Sequence, residues 1–187
     1  IAVTNTDTIL EDNFVHNMRA APGSPHYDGI QCDGGNSNTL IHRNTVFNEN
    51  GDTACVMCDN SAGPTDNFQV IGNYLGGAGY TCYVDARFNE ASTITNYENY
   101  RNIMHQGGFG YFAVNTPGSP DPYISGNQML DHCGVFDGTP PAGFDDGEVV
   151  PECFYGLGYA DGSVIGEGSD PGVGLTIGLS FTPTVPG

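Results

Sequence analysis

The chain of 187 residues contains no tryptophan and no lysine, and its only cations besides histidine are Arg19, Arg43, Arg87 and Arg101. Against those four stand 22 acidic residues, for a formal charge of −18. Phosphate binding needs a basic patch, so nucleic acid is excluded as a partner class. Adsorption to anionic lipid is disfavoured for the same reason. No apolar run approaches the ~18 residues that a membrane helix needs, so no membrane span is expected. Apolar spacings of three and four are nowhere sustained over ten or more residues, which excludes helical bundles and helical repeats. Long apolar strands alternating with helices are also missing, which excludes a doubly wound sheet. There is no signal-peptide apolar region and no initiator Met, so a mature or excised piece is expected. What the chain has in quantity is 28 Gly and 12 Pro, both breakers of regular structure. Its acidity favours solubility, divalent cations and a saline exterior, where salt screens self-repulsion beyond ~8 Å.

A repeat organises these residues. A few apolar positions, an Asn and a second short apolar run recur as Thr8-Ile9-Leu10-Glu11-Asp12-Asn13-Phe14-Val15, as Thr39-Leu40-Ile41-His42-Arg43-Asn44-Thr45-Val46-Phe47 and as Phe68-Gln69-Val70-Ile71-Gly72-Asn73-Tyr74-Leu75. Weaker copies centre on Asn99 and Asn127, so that the spacings are 31, 29, 26 and 28 residues. A second phrase lies between the copies: Gly29-Ile30-Gln31-Cys32-Asp33, Cys55-Val56-Met57-Cys58-Asp59, Thr81-Cys82-Tyr83-Val84-Asp85 and, more loosely, Tyr111-Phe112-Ala113-Val114-Asn115. Three short strands per period of just under 30 residues predict one coil of a right-handed parallel β-helix, an all-β solenoid of about five coils stacked at ~4.8 Å. Asn13, Asn44, Asn73, Asn99 and Asn127 are then expected to stack as a ladder in a tight turn, where Asn tolerates left-handed backbone. The pattern covers residues 1–133. Residues 134–187, rich in Gly and ending near Pro183 and Pro186, are expected to form a looped cap or an extended tail.

The Asn-punctuated coils resemble the pectate-lyase-like superfamily of parallel β-helices. His26-Tyr27-Asp28-Gly29-Ile30-Gln31, followed by Gly34-Gly35 and by the run from Asn73 to Thr81, is similar to a group of secreted bacterial β-helix proteins. The resemblance spans about residues 5–131. It implies a secreted or surface location and a polysaccharide partner. In lyases of that superfamily, Ca2+ on stacked strand carboxylates neutralises a uronate, and an arginine or lysine takes the neighbouring proton. Short signatures of polygalacturonases and mannuronan epimerases are not visible. The chain opens inside a coil without a capping helix, and an uncapped coil is an unpaired edge. Further parts of a larger chain, or a second copy, are expected to cover it.

Strand side chains alternate between faces. In the second phrase the apolar parity holds Ile30, Cys32, Val56, Cys58, Cys82, Val84, Phe112 and Val114, so it points inward. The outward parity carries Gln31, Tyr83, Tyr111 and Asn115, candidate sugar contacts, together with Asp33, Asp59, Asp85 and Arg87. Stacking places Asp33, Asp59 and Asp85 in a column ~5 Å apart, where two charges repel by about 3–4 kcal/mol at an effective dielectric of 20. One explanation is bound Ca2+, which takes 6–8 oxygen ligands. The other is an Asx-turn at each strand end, since each Asp precedes small or turn-forming residues. Arg87 is a candidate catalytic residue beside this column or, alternatively, the partner of Asp85 or Asp59 in a salt bridge. His26 and Asp28, two apart in a loop, form a candidate acid–base couple.

Six cysteines without a second C-x2-C pair point to disulfides and an oxidising, extracellular compartment. Cys32 and Cys58 share an inward column, with Cα atoms expected ~4.8 Å apart, inside the window for a bridge. Cys133 and Cys153 form a natural second pair. Cys55 and Cys82 remain, with opposing parities that require a local slip. Buried thiols are the alternative. Two functions follow: a Ca2+-dependent lyase acting on an acidic polysaccharide, or a non-catalytic module of a tailspike, adhesin or extracellular assembly that binds glycan or builds structure.

Overall fold

Strands here are short because Gly and Asx residues bend the chain every few positions. A computed structural model of the protein describes residues 1–16, 18, 26–48, 53–129 and 144–149. The first pass is β1 (Ala2–Val3), β2 (Thr8–Glu11) and β3 (Phe14–Val15). The second is β4 (Asp28–Cys32), β5 (Asn36–His42) and β6 (Thr45–Asn48), and the third β7 (Ala54–Asp59), β8 (Thr65–Ile71) and β9 (Tyr74–Gly77). Then come β10 (Tyr80–Asp85), β11 (Ile94–Tyr100) and β12 (Ile103–Met104), followed by β13 (Gly110–Asn115), β14 (Tyr123–Ser125) and β15 (Asn127–Met129). Corresponding strands stack in parallel as three sheets, in the orders β1-β4-β7-β10-β13, β14-β11-β8-β5-β2 and, with β16 (Phe144–Val149) at its edge, β16-β15-β12-β9-β6-β3. The fold is therefore an all-β parallel solenoid, as the repeat predicted. β16 joins it beyond the boundary expected at residue 133; the rest of residues 134–187 lies outside the described residues.

The inward parity is confirmed by register. Val3 pairs with Cys32, Cys32 with Cys58, Cys58 with Val84 and Val84 with Val114, making one continuous column in the first sheet. Leu10, Ile41 and Val70 form its counterpart in the second sheet, and Val15, Val46, Leu75 and Met104 in the third. Ile30, Ile41, Val46, Val56, Val70, Leu75, Val84 and Met104 are fully buried, and each such side chain contributes roughly 1.5–3 kcal/mol. Val114 is 41% exposed because no strand pairs with β13 on its far side in that sheet.

The Asn ladder exists, but one of its rungs differs from the expected residue. Asn13 donates to Asn44, Asn44 to Asn73, Asn73 to Asn102 and Asn102 to Asn127, each through backbone N and side-chain Nδ2 to the next Oδ1. The steps are 31, 29, 29 and 25 residues. Asn99 is instead a buried core residue of β11 whose Oδ1 accepts from Asn102 at 2.9 Å. The left-handed residue of each turn is not the Asn but its predecessor: Asp12, Arg43, Gly72, Arg101 and Gly126 have φ of 58°, 55°, 63°, 55° and 64°. A second left-handed column, Asp7, Asn38, Asn67 and Asn96 (φ 52–54°), bends each coil within or just before its second strand. Its exposed side chains link from coil to coil, Asn38 to Asp7 at 2.8 Å and Asn67 to Asn38 at 3.0 Å.

The bridges expected among the described cysteines are not formed. Cys32, Cys55, Cys58 and Cys82 are buried thiols, and none is joined in a disulfide. Cys32 and Cys58 do face each other in register. Parallel strands related by translation keep Cβ···Cβ as long as Cα···Cα, ~4.8 Å, whereas a bridge wants about 3.8 Å. The Cα window alone was too generous. Cys82 pairs with Val56, so Cys55 lies one position off in register; it too is buried in the core, where its Sγ donates to Gly76 O at 3.0 Å. The pair Cys133 and Cys153 lies outside the described residues.

Candidate functional site

On the outer face of the first sheet, Gln31, Met57, Tyr83 and Ala113 form one column and Asp59, Asp85 and Asn115 the next. The loop before β13 is held against the loop before β10: Gly108 N donates to Ala78 O at 2.9 Å and Phe109 N to Gly79 O at 2.7 Å. Its carbonyl-crowded backbone needs glycine, since a Cβ at Gly107 would meet Gly79 O at 2.6 Å. The loop thereby projects Phe109 beside Tyr80, ring centroids 5.8 Å apart. Tyr80 in turn meets Tyr83 edge-on at 5.5 Å and 89°. On the other side, Asn60 Nδ2 anchors the loop after β10 through the carbonyls of Ala86, Asn89 and Ser92, each at 2.9 Å. That loop carries Arg87 and Phe88.

The result is a groove of about 260 Å³ lined by His26, Thr53, Met57, Tyr80, Tyr83, Asp85, Arg87, Phe88 and Phe109, with Gly79 at its floor. Phe88 and Phe109 are 59% and 75% exposed. The two rings stand on either side of the same groove, so their exposed apolar surface is concentrated there.

Of the expected carboxylate column, Asp59 and Asp85 pair in register, and all three carboxylates are satisfied locally. Asp33 Oδ1 accepts from Gln31 Nε2 at 2.7 Å. Asp59 Oδ1 accepts from Ser61 N at 2.8 Å and Asp85 Oδ1 from Arg87 N at 2.9 Å, both Asx-turns. Arg87 also grips Asp85 from its side chain, Nε to Oδ1 at 2.9 Å and Nη2 to Oδ2 at 2.5 Å. Asp85 is 1% exposed and Arg87 is 57% exposed, so the guanidinium caps a buried carboxylate. Burial pushes the Asp59 carboxyl up, and the charges of Asp33 and Asp85 add to this against the Ser61 hydrogen bonds. The hydrogen bond to Asp85 pushes the Arg87 guanidinium up, so it holds its proton. Among the described residues, no three His, Cys, Asp or Glu side chains are grouped so as to hold a metal ion.

His26, Tyr83, Arg87 and Asp85 are thus brought together. Asp28 is directed elsewhere, its Oδ1 accepting from Ala54 N at 2.9 Å. Tyr111 is 5% exposed and belongs to the core, not to the outer face where alternation was expected to put it. Gln31 and Asn115 stay on the outer face but outside the groove lining. Phe88 and Phe109 were missed: both lie in loops, where strand alternation carries no information. No protein-family model matches the chain, and neither does any curated protein or solved structure.

Proposed function

We propose that this chain is a non-catalytic glycan-binding solenoid module whose ligand lies along the groove on the first sheet. The observation that carries the reading is the cluster of Tyr80, Tyr83, Phe88 and Phe109 around one cleft, two of the rings largely exposed. Sugar rings stack their C–H faces on aromatic faces, and the Arg87–Asp85 pair at the rim offers polar edges for hydroxyls. A lyase reading is less well supported. Elimination needs a base, and an arginine neutralised by Asp85 and holding its proton more tightly is not one. The ligand of this groove is a neutral polysaccharide, since Arg87 is already compensated and the chain as a whole is strongly acidic. An extracellular setting rests on that acidity, since the thiols do not argue for it.

Titration calorimetry of the intact chain against neutral and uronate-rich polysaccharides tests the proposal. Binding to a neutral glycan, weakened about tenfold by Tyr83→Ala, is the expected result, about 1.4 kcal/mol. New absorbance at 232 nm from a polyuronate, abolished by chelator, would overturn it in favour of the metal-dependent lyase.

A further inference from the structure

We infer that a second, independent site for a sugar bearing an anionic substituent, carboxylate or sulfate, lies on the outer face of the second sheet around Arg101. Glu98, Tyr100, Arg101, Tyr123, Ser125 and Gly126 line a cleft of about 370 Å³ there. Glu98 pairs with Tyr123 and Tyr100 with Ser125 across neighbouring strands. The Tyr100 and Tyr123 rings meet at 6.0 Å and 70°, and Tyr123 is 57% exposed. They form a corner with one face free for a pyranose ring.

The cation is what singles out this cleft. Among the described arginines, Arg43 is bound to Asp12 and Glu11, and Arg87 to Asp85. Arg101 is exposed and meets no carboxylate among the described residues; its guanidinium lies 5.8 Å over the Tyr100 ring. The Oε2 of the neighbouring Glu98 accepts from Gln69 Nε2 at 3.0 Å, on the coil away from Tyr123. In a chain of charge −18 an uncompensated arginine among aromatic rings is an anion receptor. Position 101 is also a left-handed one, φ 55°, and the equivalent positions on the adjacent coils are Gly72 and Gly126. Glycine takes that conformation without the steric cost an arginine bears. At Arg43 the same strain is offset by an ion pair; at Arg101 no such contact offsets it, which fits a ligand contact.

This site does not depend on the groove of the first sheet, and the test separates them. The intact chain is titrated, by calorimetry and by aromatic NMR shifts, with methyl glucuronoside, glucose 6-sulfate and methyl glucoside. The expected result is that one or both anionic sugars bind about tenfold or more tighter than the neutral one, with shifts at Tyr100 and Tyr123. Preference between carboxylate and sulfate identifies the source. Arg101→Gly, which suits the turn and should fold at least as well, abolishes the anionic preference. Tyr83→Ala leaves it intact. Equal shifts at Tyr100 and Tyr123 from the neutral sugar, no shift there from any of the three, or an anionic preference that survives Arg101→Gly overturns the inference.

Discussion

Removing one central rung of the Asn ladder should destabilise the solenoid far more than removing its first rung. Asn73 is fully buried. Its Nδ2 donates to Ile41 O at 2.9 Å, Ile71 O at 3.1 Å and Asn102 Oδ1 at 3.0 Å, while its Oδ1 accepts from Asn44 N at 2.9 Å and Asn44 Nδ2 at 3.0 Å. Asn73→Ala strands the buried Asn44 N–H, which costs about 1–3 kcal/mol, and loses several bonds of about 1 kcal/mol net each. Allowing for partial relaxation, the expected loss is about 3–4 kcal/mol, a large fraction of the 5–15 kcal/mol typical of a domain. The Asn13 side chain only donates among the described residues, to Glu11 O and to Asn44 Oδ1, from a half-exposed position. Asn13→Ala should cost about 1 kcal/mol. Urea unfolding followed by tyrosine fluorescence and far-ultraviolet dichroism resolves the two, because at an m-value near 2 kcal/mol/M they differ by about 1 M in midpoint. Equal midpoints for the two variants would refute the reasoning, leaving strand pairing alone to hold the coils.

Other outcomes follow from the same geometry. Asp59→Asn keeps an acceptor for Ser61 N and removes a carboxylate whose folded-state pKa is raised by burial. The neutral form is favoured on folding, so the stability Asp59 contributes is present below about pH 4 and lost as pH rises through the raised value. The variant should therefore raise the urea midpoint at neutral pH and leave it unchanged near pH 3; a gain at both would contradict the assignment. Gly34→Ala puts a Cβ 2.3 Å from Gly63 O and 2.9 Å from Asn60 Cα at φ +87°. It should cost about 3 kcal/mol or more, against about 1 kcal/mol for Gly118→Ala, which has the same sign of φ and open space. Cys32, Cys55, Cys58 and Cys82 should all alkylate once the chain is unfolded without reductant; a pair that resists until reductant is added would restore the bridge between coils.

The solenoid was legible because it is written in register. Two phrases with a common period fixed which residues stack, and Ile30, Val56 and Cys82, or Cys32, Cys58 and Val84, fall where alternation puts them. The fourth rung was misassigned because Asn99 and Asn102 both sit near the end of a short apolar run. What separates them is the residue before: Arg101 occupies a left-handed position also held by Gly72 and Gly126, whereas Glu98 lies within a strand. A Gly in two of the copies at that place was the available signal. The Asp7, Asn38, Asn67 and Asn96 column was equally present at spacings of 31, 29 and 29, but its residues alternate with polar neighbours and do not announce themselves as a ladder.

The site was less legible because stacking determines neighbours, while chemistry depends on what else reaches them. Asp59 and Asp85 pair in register, while Asp33 lies just past the end of β4. Column order says nothing about loops, and each carboxylate finds a donor within two residues of itself: Gln31, Ser61 and Arg87. A local donor two positions away is reached at almost no entropic cost, whereas sharing a cation asks three carboxylates on successive coils to turn toward one point. Arg87 then does more than fill the role of partner. By covering Asp85 it lets that carboxylate be buried without a metal, and its stem and the adjoining Phe88 build one wall of the groove opposite Tyr80 and Phe109. Arg87→Gln should separate these roles. It leaves the buried Asp85 carboxylate with the backbone N–H of residue 87 and without its cation, so it should lower the urea midpoint at neutral pH. Binding of a neutral glycan should fall less than it does in Tyr83→Ala, because the aromatic walls remain. An unchanged urea midpoint would mean the ion pair does not hold Asp85 in place, and the electrostatic account of this wall would fail.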